Sequence, residues 1–100
     1  EVKSHVTRDT SWGQVEVLAR AQGYDMRLIT VNPGEALTIS STDIGPSLLT
    51  VVSGEVDCLQ DDEVARPLST GQSLSVAADR KVRVHNPMGE SVKLIQILFS

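Results

Sequence analysis

One hundred residues give one domain, long enough to close a small core without disulfide or metal staples. Nine basic against thirteen acidic residues leave a formal charge of -4, which opposes a phosphate backbone and sets nucleic acid aside as a partner. The lone cysteine, Cys58, excludes an intrachain disulfide, and no apolar run approaches the ~20 residues of a membrane-spanning helix; no membrane partner and a cytoplasmic location are expected.

Trp12, Tyr24 and Phe99 are the only aromatic residues, so Val, Leu and Ile must fill the core, and these side chains suit pleated sheet. Residues 1–11 are polar and lack periodicity. They read as an N-terminal arm, loose unless it pairs with a sheet edge or a neighbouring chain, ahead of a domain over 12–100. From Gln14 to Arg20 the chain alternates, with Val15 and Val17 on one face and Glu16 on the other. After a turn at Ala21-Gln22-Gly23, Tyr24 to Val31 alternates again: Met26, Leu28 and Thr30 face one way, Arg27, Ile29 and Val31 the other. Pro33-Gly34 supplies the next turn, because Pro fixes φ and Gly reaches conformations closed to other residues.

Ala36 to Ser40 is a short strand, ended by a loop whose Pro46 cannot donate to a central ladder. Leu48 to Val52, Glu55 to Gln60, Val64 to Leu68 and Ser73 to Val76 follow, divided by Ser53-Gly54, an acidic tip at Asp61-Asp62-Glu63, and Thr70-Gly71. The acidic tip reads as a solvated turn, since the spaced ligands and loop glycine of a calcium site are missing. Within Glu55 to Gln60, Cys58 shares a face with Val56 and is expected as a small buried hydrophobe rather than a reactive thiol. Lys81 to His85 sets Val82 and Val84 opposite Lys81, Arg83 and His85. Asn86-Pro87-Met88-Gly89 turns into the final strand, Ser91 to Phe99, which is apolar on both faces. Eight to ten short strands near ten-residue intervals, with no helical period, predict a sandwich or barrel.

Several stretches, in order, resemble the cupin family, most closely the small barrel domain at the C-terminus of bifunctional mannose-6-phosphate isomerase/mannose-1-phosphate guanylyltransferase enzymes. Trp12-Gly13 before Val15-Glu16-Val17-Leu18 is similar to that family's opening strand, and Gly23-Tyr24 with Arg27 to Glu35 to its strand leading into Pro-Gly. Val51-Val52-Ser53-Gly54 is similar to its Val-Val-Ser-Gly turn, and Ser73 to Val76 with Asn86-Pro87 to the frame of its second motif. The resemblance implies an all-β double-stranded β-helix, the jelly-roll cupin barrel.

In the resembling family a His-x-His pair, a downstream Glu and a second-motif His hold a metal. Aligned on the two turns, the histidine run falls on Thr42, Asp43 and Ile44, the Glu on Ser47 and the last His on or near Val82. These side chains cannot supply the three or four converging His, Cys or carboxylate ligands of a transition-metal site. His5, in the arm, and His85, before a turn, read as surface residues. No metal, no cofactor and no catalytic residue are therefore expected. Arg80, Lys81 and Arg83 concentrate a third of the basic residues beside a segment that borders the pocket in the resembling family. They read either as a solvated basic edge or as an anion site for a sugar phosphate; with Thr42 and Ser47 they form the candidate ligand-binding set.

The expected function is a non-catalytic, metal-free cupin module that binds a small molecule in the barrel, a sugar or sugar phosphate, or that dimerises; a sugar-phosphate isomerase is the alternative. A homodimer would cover the two-faced final strand, although a sheet of the same chain could also cover it.

Overall fold

A computed structural model of the chain describes residues 6–40, 46–60, 65–78 and 80–99. They form ten strands: β1 (Val6–Asp9), β2 (Gly13–Ala21), β3 (Tyr24–Val31), β4 (Ala36–Ser40), β5 (Ser47–Ser53), β6 (Glu55–Gln60), β7 (Arg66–Ser69), β8 (Ser73–Val76), β9 (Lys81–His85) and β10 (Val92–Phe99). A six-stranded sheet, ordered β1-β2-β3-β10-β5-β8, packs against a four-stranded sheet, ordered β4-β9-β6-β7, and every pairing is antiparallel. The N-terminal arm meets the condition under which it would be ordered: residues 6–9 pair with β2 as the sheet's edge.

Alternation fixes the two inner faces, because directly opposed residues in neighbouring strands point the same way. On the six-stranded sheet Val31 faces Val92, and Ile29 faces Leu94, which faces Val51. On the four-stranded sheet Leu37 faces Val84, which faces Cys58, and Ile39 faces Val82. These side chains are buried and make one core. The expected positions of Val82, Val84, Val56 and Cys58 agree with it.

Two irregularities matter. In β2 the register against β3 slips between Val17 and Ala19, leaving Leu18 as an extra residue; Ala19 then faces Met26 and Arg20 faces Asp25. A bulge of this kind reverses the faces beyond it. Strict alternation would put Arg20 outward with Glu16, whereas the bulge turns it inward. Gly13, opposite Val31 in β2, has no room for a side chain, since a Cβ there would overlap the Thr30 carbonyl.

The barrel's closed end is held by Asn86. Its side chain is buried, with Nδ2 donating to the Val31 carbonyl (3.0 Å) and the Glu90 carbonyl (2.7 Å), while Oδ1 accepts from the Met88 amide (2.9 Å). Its main chain pairs with the turn after β3: the Asn86 amide donates to Glu35 (2.9 Å) and the Gly34 amide to Asn86 (3.0 Å). Gly34, at φ +74°, takes the conformation that the Pro33-Gly34 turn requires.

Replacing Asn86 with Ala leaves two carbonyls and one amide without the side chain that pairs them, and should cost about 3 kcal/mol in urea unfolding. A cost below about 0.5 kcal/mol would show that water replaces those bonds freely. Burial, reinforced by Asp57 and opposed by Arg66, pushes the Cys58 thiol up to about 11 from 9.0. The thiol is thus neutral when folded but ionises when unfolded, so its contribution is fully present below 9.0 and is lost as pH rises toward about 11. Unfolding measured across that window should show a steeper fall of stability for the wild type than for Cys58→Ala; parallel curves would contradict the assignment.

Candidate functional site

Polarity on the inner face of the six-stranded sheet rises along the barrel. At the closed end the facing pair is Val31 and Val92. Two residues further, Ile29 faces Leu94, and then Arg27 faces Gln96. In the last row Arg20, Asp25, Leu98 and Ser47 follow one another across β2, β3, β10 and β5. Gln96 and Ser47 are buried, at 5% and 2% exposure, and Arg27 is partly buried. A buried polar group needs a reason to be retained in a barrel that Val, Leu and Ile could otherwise fill.

Where the edge strand β4 lies over β2, β3 and β10, a pocket of about 240 Å³ opens into the interior. Ile29, Leu37, Ile39 and Leu98 supply apolar walls, Arg27 and Gln96 polar groups, and Trp12 stands at its rim with Val15. Trp12 is set by the loop between β1 and β2. Thr10 Oγ1 accepts from the Gly13 amide (3.0 Å) and the Trp12 amide (3.3 Å), the Thr10 amide donates to the Gly13 carbonyl (2.8 Å), and the Asn32 amide donates to the Trp12 carbonyl (2.8 Å). The loop ties the indole's backbone to the end of β3. Arg27 Nη2 lies 3.8 Å from Asp25 Oδ2, and Arg27 Nε is buried with no hydrogen-bond partner among the described residues.

The candidate residues from sequence separate. Ser47 faces the interior at the start of β5. Lys81 and Arg83 are exposed on β9, on the face opposite buried Val82 and Val84, and Arg80 is exposed just before them. β9 lies between β4 and β6, so Lys81 and Arg83 are not on the basic edge strand expected from the sequence but on the outer face of an inner strand, turned away from the interior pocket. His85 is half-buried on that same outer face, opposite Asp57 and Ala36. Thr42, Asp43, Ile44 and His5 lie outside the described residues.

The donor set does not fit the family's metal. Among the described residues no three His, Cys, Asp or Glu side chains come together as ligands. Val82, on which the second-motif histidine falls, is fully buried hydrocarbon between Ile39 and Gln60. Missed from the sequence were Arg27 and Gln96 as interior groups and Arg20 beside them. The parity of Arg27 with Ile29 and Val31 was a usable signal, whereas Arg20 was hidden by the bulge.

No curated protein matches the chain in sequence. Solved structures resemble it in fold. The cupin domain of an XRE family transcriptional regulator from Enterobacter cloacae superposes with a TM-score of 0.78 at 22% identity, over 86% of this chain and 94% of that one. A cupin superfamily protein from Desulfitobacterium hafniense gives 0.74 at 19% identity, over 98% and 83%. A sugar phosphate isomerase of the cupin superfamily from Silicibacter pomeroyi gives 0.74 at 13% identity, over 87% of this chain and 59% of that one. Residues 1–99 match the mannose-6-phosphate isomerase C-terminal family, and the chain, a cupin barrel by fold, belongs to it.

Proposed function

We propose that this domain is a non-catalytic, metal-free cupin module that holds a small polar ligand, a sugar or sugar phosphate, in its barrel. The observation that carries this reading is the interior pocket itself: apolar walls with Arg27 and Gln96 directed to one inner face. A few convergent polar groups in a mostly apolar cleft are what orient a small ligand. Membership of the mannose-6-phosphate isomerase C-terminal family, and a sugar phosphate isomerase among the structural relatives, favour a sugar as the body of that ligand. The side chains at Ser47 and Val82 argue against the isomerase alternative, since a hydroxyl and a hydrocarbon cannot replace a carboxylate and an imidazole.

Protein purified without chelator should carry far less than one equivalent of transition metal by elemental mass spectrometry, and should not interconvert mannose 6-phosphate and fructose 6-phosphate. Calorimetric titration with mannose and mannose 6-phosphate should detect binding that Gln96→Leu weakens roughly tenfold, through an unpaired ligand hydroxyl. A stoichiometric metal, or turnover, would restore the enzyme reading. Unchanged affinity in the variant would remove the interior pocket from it.

Dimerisation has its own support on the outer face of the six-stranded sheet. There Ala19, Met26, Ile97 and Leu48 form one row across four strands, and Leu28 faces Ile95 in the next. Tyr24 faces Phe99 beyond them, at 39% and 42% exposure. This apolar face has no covering layer among the described residues, and a second copy would present the same rows across a two-fold axis. Sedimentation should give a dimer for the wild type and a monomer for Ile97→Lys, with the variant still folded. A wild-type monomer at high concentration would rule the interface out.

A further inference from the structure

At the β1 side of the six-stranded sheet the inner face of β1 and β2 borders the core, with Val15 half-buried against it. On this face three arginines, Arg8, Arg20 and Arg27, line one pocket of about 220 Å³ with Trp12, Val15 and Val17. Arg8 faces Val15, Arg27 faces Val17, and Arg20 is brought onto the same face by the bulge at Leu18. Three of the chain's nine basic residues thus converge in a protein whose net charge is -4. Asp25, opposite Arg20, is the acidic group on this face in β3, and its 3.8 Å separation from Arg27 Nη2 exceeds the ~2.7–2.9 Å of a charge-assisted hydrogen bond. Arg27 also keeps a buried Nε without an acceptor among the described residues.

We propose that this flank binds the phosphate or carboxylate group of a small organic anion whose less polar body lies against Trp12, Val15 and Val17. Planar guanidinium forks match the paired oxygens of either group, and the indole offers a face for a ring. The pocket is smaller than the roughly 300–1,000 Å³ that drug-sized ligands occupy, which restricts the occupant to a compact anion rather than a nucleotide. The site is built from β1, β2, β3 and the loop between β1 and β2, and does not require a sugar in the barrel interior, although Arg27, Trp12 and Val15 border both pockets.

Trp12 is the chain's one tryptophan and borders both pockets, so its emission reports on either, and the arginine variants assign a response to this one. Phenyl phosphate and benzoate, titrated separately at constant ionic strength, distinguish the two anionic groups. At least one should produce a saturable change that neutral phenol does not reproduce. The double variant Arg8→Gln/Arg20→Gln removes exposed charges without touching the core, and should weaken that binding about tenfold or more. Arg27→Lys keeps the charge but not the fork and should weaken it as well. Lys81→Gln/Arg83→Gln, on the outer face of β9, should leave it unchanged. No saturable response to either anion would overturn the proposal, as would full affinity in Arg8→Gln/Arg20→Gln or a loss confined to Lys81→Gln/Arg83→Gln. Mannose binding in the interior is measured independently, so anion binding at this flank and sugar binding in the barrel can each fail without the other.

Discussion

The buried amide of Asn86 is the constraint on which the architecture turns. One side chain joins the last carbonyl of β3 to the connection between β9 and β10, while its main chain joins the same connection to the Pro33-Gly34 turn. Two sheets are thereby locked at one end, and the registers of β3 against β10 and β4 against β9 follow from it. In a core made almost wholly of Val, Leu and Ile, whose packing is weakly directional, a fully paired polar group is what selects one register over its slipped neighbours.

From that pinned end the inner wall changes character with distance. Val31 and Val92 are sealed, Ile29 and Leu94 still belong to the core, and Arg27 with Gln96 marks the point where the interior opens. On the β1 and β2 side of this wall Arg8 and Arg20 are added to it. The proposed ligand binding rests on this arrangement of an apolar base under a polar mouth. The barrel keeps its family's frame, while Val82 and Ser47, at or near two positions where the sequence resemblance implies metal ligands, are a buried valine and a buried serine. Fold and chemistry are separable, because packing restricts the core positions while a ligand set can be exchanged for other side chains that fit.

Most strands could be read from the chain because alternation and turn chemistry are local. Tyr24 to Val31, Ala36 to Ser40, Glu55 to Gln60, Ser73 to Val76 and Lys81 to His85 have the limits that their patterns imply. Lys81 and Arg83 were equally legible as one face of β9, but nothing local says whether that face looks into the barrel, and it looks out. Arg27 carried the opposite problem: its parity with Ile29 and Val31 was visible, yet an arginine reads as solvated until a pocket is there to receive it.

By itself, then, the sequence determined the all-β class, the limits of five of the ten strands among the described residues and the alternation within most of them, since each follows from side chains and their spacing. Only the tertiary structure decided which basic residues converge. The slip at Leu18 that turns Arg20 inward, and the pairing that sets Arg8 across β2 from Arg27, depend on hydrogen bonds between strands. Such register is a property of paired backbones, and no single strand's alternation contains it.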